Sequence, residues 1–291
     1  MKNSIPSPTV STKWLAQHLN DPDIRILDAT VLISPPLVAG GNWTVGSNRE
    51  AHDALHIPGS HYADLISEFS APKGRFSRPD VALFTSSFKR LGIGPDTRVV
   101  IYDRASGVWA ARLWWVMRSF GLDQAAVLDG GFVLWDAEGR PTTSEPSPPR
   151  SAAPFVTQDR PELFANRDQV LAIVEQGGAC LVNALDTSDF TATETKGYAR
   201  PGRIPGSLSV PASSLIDPTS GRFFSIPILR QRFSDVLSRP GRKVMYCGGG
   251  IAACADALAL TLLGEQDVTV YDASLEEWAA DPSLPMEVQG A

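Results

Sequence analysis

Val244-Met-Tyr-Cys-Gly-Gly-Gly-Ile-Ala-Ala-Cys254 joins two kinds of local sequence. Strand-preferring residues lead to a cysteine, three glycines follow, and an apolar run over 251–263 stops at Gly264. The order predicts a strand, a tight loop and a helix closed by glycine. Glycines let the backbone curl, so that successive N–H groups can point inward at the sulfur. The helix N-terminus adds partial positive charge. Both effects favour the thiolate, which is the nucleophilic form of cysteine. Cys247 is therefore the expected chemical centre. The amides of Gly248, Gly249, Gly250, Ile251, Ala252 and Ala253 are expected to line it.

Outward from this loop the chain repeats itself. Ile57-Pro-Gly-Ser60 returns as Ile204-Pro-Gly-Ser207, and Tyr102-Asp103 returns as Tyr246-Cys247. Asp129 and Trp135 return as Asp272 and Trp278. Markers in one order at a nearly constant offset indicate two copies of one unit. In the first copy strands are expected over 24–29, 98–103 and 125–129, and helices over 82–91 and 108–120. In the second copy strands are expected over 179–183, 243–246 and 268–272, and helices over 168–176, 227–237 and 251–263. A polar excursion is expected over 34–48. Strands alternating with helices predict an α/β fold, each copy a mostly parallel sheet flanked by helices on both faces. The expected domains are 1–141, with Asp103 at the cysteine position, and 159–291, with Cys247. Residues 142–158 are rich in proline and read as the linker. Functional crevices in such sheets lie beyond the carboxyl ends of the strands, where Cys247 falls. Asp103 cannot act as a sulfur nucleophile, so one copy is expected to be catalytic and the other not.

Composition sets outer limits. Hydrophobic residues make up 43% of the 291 and charged residues 20%, the balance of a soluble globular protein. A net charge of −6 argues against general binding to nucleic acid or an anionic membrane. Met1-Lys-Asn-Ser-Ile-Pro-Ser-Pro leads to no signal-peptide core, and no apolar run approaches the ~20 residues of a membrane span. The expected location is cytoplasmic. Cys180, Cys247 and Cys254 are too few for a disulfide framework, and they form no C-x-x-C pair. Four scattered histidines offer no zinc set. Neither metal nor cofactor is expected. Cys180 and Cys254 read as core residues.

On His56-Ile-Pro-Gly59, Val100-Ile-Tyr-Asp103, Leu128-Asp-Gly-Gly131, Gly202-Arg-Ile-Pro-Gly206, Cys247-Gly-Gly-Gly-Ile-Ala-Ala253 and Tyr271-Asp-Ala-Ser274, the chain resembles the tandem rhodanese-type sulfurtransferases. The resemblance runs over about 10–282 and implies an inactive first domain and an active second one. It implies that Cys247 takes sulfur from a small donor as a persulfide, and passes it to a thiol, a thioredoxin-like acceptor or cyanide. The cysteine-glycine start of the loop is closer to the 3-mercaptopyruvate group than to the thiosulfate group, whose loops carry basic residues there. The chain also departs from the mercaptopyruvate pattern. Gly249 stands where that group has a serine, and no clear aspartate precedes His56 for the proposed relay. Asp189 and Lys196 stand where it has two arginines for the donor's carboxylate. Lys196, Arg200, Arg203 and His56 are the remaining candidates for donor binding.

Two other classes compete with a turnover sulfurtransferase. Cysteine phosphatases and arsenate reductases need an arginine six residues after the cysteine, and Ala253 stands there. A persulfide carrier or redox-sensing partner that loads without turnover fits the uncharged loop.

Overall fold

The computed structural model describes residues 4–34, 44–72, 76–193 and 197–288. It divides into two compact units: Met1–Arg160 with Pro218–Arg222, and Pro161–Asp217 with Phe223–Ala291.

The first unit contains β1 (Thr9–Ser11), β2 (Ile24–Asp28), β3 (Val31–Ser34), β4 (Thr44–Ser47), β5 (Ser60–Tyr62), β6 (Arg98–Tyr102) and β7 (Ala125–Asp129). Its helices are α1 (Thr12–His18), α2 (Arg49–Ala54), α3 (Val81–Leu91), α4 (Val108–Ser119) and α5 (Gly131–Ala137). The sheet order is β1-β7-β6-β2-β5, all parallel. β2 and β6 are buried at every residue, as strands covered on both faces must be. The ends of the polar excursion pair as the antiparallel hairpin β3–β4. Its middle, 35–43, lies outside the described residues. Residues near 142–158 run along this unit: Gln158 N donates to Phe120 O at 2.9 Å, and Phe155 packs edge-on against Phe88.

The second unit repeats the plan with β8 (Phe164–Ala165), β9 (Ala179–Asn183), β10 (Leu208–Ser209), β11 (Arg242–Tyr246) and β12 (Val268–Tyr271). Its helices are α6 (Arg167–Gln176), α7 (Thr187–Phe190), α8 (Ile226–Arg232), α9 (Ser234–Leu237), α10 (Ala252–Leu262) and α11 (Ser274–Ala280). The order β8-β12-β11-β9-β10 is again parallel and matches the first sheet strand for strand. The expected helix over 227–237 is broken: Phe233, with φ −93° and ψ 11°, ends α8 before α9 begins.

The repeated residues make the same bonds in each unit. Gly59 and Gly206 take φ of 78° and 75°, and the Ile-Pro-Gly-Ser turns close through Ser60 N to Ile57 O and Ser207 N to Ile204 O. Positive φ at these positions is the reason for glycine. The turn serine then meets the last tyrosine of the central strand: Ser60 Oγ and Tyr102 Oη are 3.1 Å apart, and Tyr246 Oη donates to Ser207 Oγ at 2.8 Å. Trp135 and Trp278 are fully buried, and each donates its indole N–H at 2.8 Å, to Pro141 O and Pro285 O respectively.

The loop after β6 has no cysteine. The Asp103 carboxylate turns back into it and accepts from the amides of Ala105 (2.8 Å), Gly107 (3.0 Å), Trp109 (3.0 Å) and Ala110 (3.0 Å). Complete burial pushes its pKa above the ordinary carboxylate value, and these amides oppose that shift. Every contact is an N–H donor, which suits the ionised form. Asp103→Ala would leave these donors buried without an acceptor. It is expected to cost roughly 2–4 kcal/mol in the stability of the first unit, with Asp103→Asn in between, as read from denaturant unfolding.

Candidate active site

Cys247 follows β11 directly and is 2% exposed. Its backbone is clamped by α11. Cys247 N donates to Ser274 Oγ at 3.1 Å, and Ser274 Oγ donates to Tyr271 O at 2.8 Å. Leu275 N and Glu276 N donate to the carbonyls of Cys247 (3.1 Å) and Gly248 (2.8 Å). The N-terminal amides of α11 thus find acceptors in the loop, which fixes the loop to the sheet. The first unit repeats the main contact, with Phe132 N on Asp103 O at 2.9 Å. From Cys247 the chain runs through Gly248, Gly249 and Gly250, the last at φ 76°, and Ile251 into α10 at Ala252 and Ala253. Cys254, buried in α10, donates its S–H to Gly250 O at 3.1 Å and so ties the loop to the helix. Cys180 is buried in β9.

The loop glycines are closely approached by side chains from elsewhere in the same unit. A Cβ built on Gly248 would collide with the Tyr198 hydroxyl and lie 3.1 Å from Tyr198 Cζ. A Cβ built on Gly249 would lie 3.4 Å from Glu276 Oε2. Burial, with the charges of Cys247, Asp189 and Glu276 nearby, raises the Tyr198 pKa far above the usual phenol value. The phenol is therefore a neutral O–H donor. Nothing in the sequence marked Tyr198 or Glu276, because neither position has a role in the motifs of the loop. Ser274 was at least contained in the Tyr271-Asp-Ala-Ser274 motif.

The expected donor-binding cations are placed differently. Arg200 donates to the carbonyls of Ala279 (2.9 Å), Leu284 (2.8 Å), Trp278 (3.0 Å) and Asp281 (2.5 Å). It caps the C-terminus of α11, where carbonyls lack helical partners. Arg203 donates to Phe190 O at 3.1 Å, pairs with Glu287 and lies 4.4 Å over the Phe190 ring. Both guanidinium groups are committed to structure. Lys196 lies outside the described residues. His56 belongs to the first unit, where it is 2% exposed. Its Nδ1 is 2.8 Å from His52 O, its ring stacks on His52 at 4.3 Å, and burial lowers its pKa. His52 in turn lies 3.1 Å from Asp28. Asp189 is buried in α7.

Two α/β units of matching sheet order, one holding an acid and the other a buried cysteine at the end of the central strand, define a duplicated fold with a thiol in one copy. The chain belongs to the rhodanese-like family: a rhodanese-like domain matches residues 11–138 and again residues 166–281. It is 32% identical over 287 residues to a probable 3-mercaptopyruvate sulfurtransferase of Pseudomonas aeruginosa, covering 95% of this chain and 96% of that one. It is 33% identical to the thiosulfate sulfurtransferase of Gallus gallus, covering 92% of each. The solved structure of SseA from Escherichia coli, a 3-mercaptopyruvate sulfotransferase of rhodanese fold, matches with a TM-score of 0.77 at 26% identity, covering 92% of this chain and 98% of that one. No helix among the described residues is long and apolar enough to cross a membrane.

Asp256 sits in α10, beyond the loop, fully buried, and neither carboxyl oxygen has a hydrogen-bond partner among the described residues. Burial alone pushes its pKa well above the carboxylate range. A group with a raised folded pKa contributes fully only below its unfolded pKa of about 3.9, and that contribution is lost as the pH rises. Asp256→Leu is expected to raise the melting temperature by roughly 3 °C or more, and by more near pH 8 than near pH 4. Calorimetry at both pH values checks this.

Proposed function

We propose that the chain moves sulfur from 3-mercaptopyruvate, as the sulfane sulfur of a Cys247 persulfide, to a thiol, a thioredoxin-like protein or cyanide. The observation that supports this most directly is the exchange of Asp103 for Cys247 at one place in two matching units. In the first loop an acid fills the ring of amides. In the second, a thiolate and then a persulfide anion would take that place, held by the amides from Gly248 to Ala253.

The chemistry is covalent catalysis in two steps. The Cys247 thiolate attacks the donor's sulfur, an S–S bond forms, the donor's C–S bond breaks, and its electron pair leaves on carbon as the enolate of pyruvate. Protonation on carbon gives pyruvate. The acceptor thiolate then attacks the outer sulfur and releases the Cys247 thiolate; cyanide would leave as thiocyanate. Thiosulfate is the alternative donor by the same route, with sulfite leaving. Lys196 remains part of the proposal as a donor contact, whereas the bonds of Arg200 and Arg203 and the burial of His56 against His52 favour structural roles for those three.

Mass spectrometry after incubation with each donor is expected to show a gain of one sulfur, absent in Cys247→Ser. Repeated turnover with an added thiol separates a transferase from a carrier, which would load once. The kcat/KM for 3-mercaptopyruvate is expected to exceed that for thiosulfate, and the reverse order would assign thiosulfate as the donor.

A further inference from the structure

The side-chain positions that follow the cysteine are empty in this loop, yet the space they would fill is not. Tyr198 Oη occupies the place of a side chain at Gly248, and Glu276 Oε2 borders the place of one at Gly249. We propose that Tyr198 and Glu276 are catalytic, specificity-determining residues that select a donor carrying a thiol beside a carbonyl. The inference rests on the Cys247 persulfide reading.

Several observations lead to this assignment. Both side chains come from the unit that holds Cys247, and Glu276 is tied to the loop through its own amide on Gly248 O. The phenol stays protonated because burial and neighbouring negative charge oppose its ionisation. Arg200 and Arg203 are spent on main-chain carbonyls and Glu287, whereas the Tyr198 phenol stands at the loop as a neutral donor. Gly248→X substitutions cannot supply a replacement without displacing Tyr198.

The residues divide the proton and charge movements of the first half-reaction. As the Cys247 thiolate attacks the donor's sulfur, Glu276 takes the proton of the donor's thiol. The C–S electron pair passes to carbon and onto the carbonyl oxygen, where the Tyr198 O–H donates a hydrogen bond to the forming enolate. Protonated Glu276 then returns the proton to the carbon, giving pyruvate and a Cys247 persulfide anion. Atoms and charge balance without a further reactant. Thiosulfate has no thiol proton to give and no carbonyl to receive the bond, and it brings two negative charges to the Glu276 carboxylate where 3-mercaptopyruvate brings one.

The test compares both donors in the parent chain, Tyr198→Phe and Glu276→Gln. In Tyr198→Phe the ratio of kcat/KM for 3-mercaptopyruvate over thiosulfate is expected to fall by ~10-fold or more, chiefly through kcat. In Glu276→Gln the same ratio is expected to fall by a similar factor, and Glu276→Asp is expected to recover part of it. Equal losses with both donors would mean a merely structural role and overturn the proposal, as would ratios within twofold of the parent. Failure of the parent to load sulfur from either donor would instead overturn the Cys247 reading, and this proposal with it.

Discussion

A short turn from the central strand into a helix gathers backbone N–H groups that need a negative partner. That requirement organises each unit. In the first, Asp103 meets it with two carboxylate oxygens shared among Ala105, Gly107, Trp109 and Ala110. The carbonyl of the same residue is taken by Phe132 at the start of α5. The second unit takes the Cys247 carbonyl with Leu275 and adds Ser274 on the Cys247 amide. The helix that does this is held at its far side by one indole on one proline carbonyl, Trp135 on Pro141 or Trp278 on Pro285. Loop, clamp helix and tryptophan form one device used twice, with a carboxylate at the head of the loop in one copy and a cysteine in the other.

The second consequence concerns charge. A sulfurtransferase acting on anionic donors invites arginines around its cysteine, and Arg200 and Arg203 are near enough in sequence to suggest that role. Their guanidinium groups instead satisfy the carbonyls that end α11, the carbonyl of Phe190 and the carboxylate of Glu287. Helix ends need donors whether or not a substrate is bound, and Arg200 meets that need with four hydrogen bonds. The side chains that approach Gly248 and Gly249 are instead a neutral phenol, Tyr198, and a carboxylate, Glu276.

Much of the architecture was legible before any coordinate. β2 and β6 are apolar enough to be buried on both faces, and α3 and α4 end where glycines stop them, at Gly92 and Gly121. What escaped was short or terminal. β1, β8 and β10 span two or three residues, too few for any periodicity to show. The break at Phe233 left no signal because the apolar spacing continues through it.

The sequence by itself determined the duplication, the parallel α/β class and the position of one cysteine between a strand and a helix. Those features are written in local order and spacing, which a chain carries in one dimension. Only the tertiary structure decided which side chains border the loop that follows that cysteine. Tyr198 and Glu276 reach the loop from positions 49 residues before and 29 residues after Cys247, and Arg200 finds its carbonyls ~80 residues away. Which partner a polar side chain takes depends on what the fold brings within hydrogen-bond distance, and that distance is not encoded in separation along the chain.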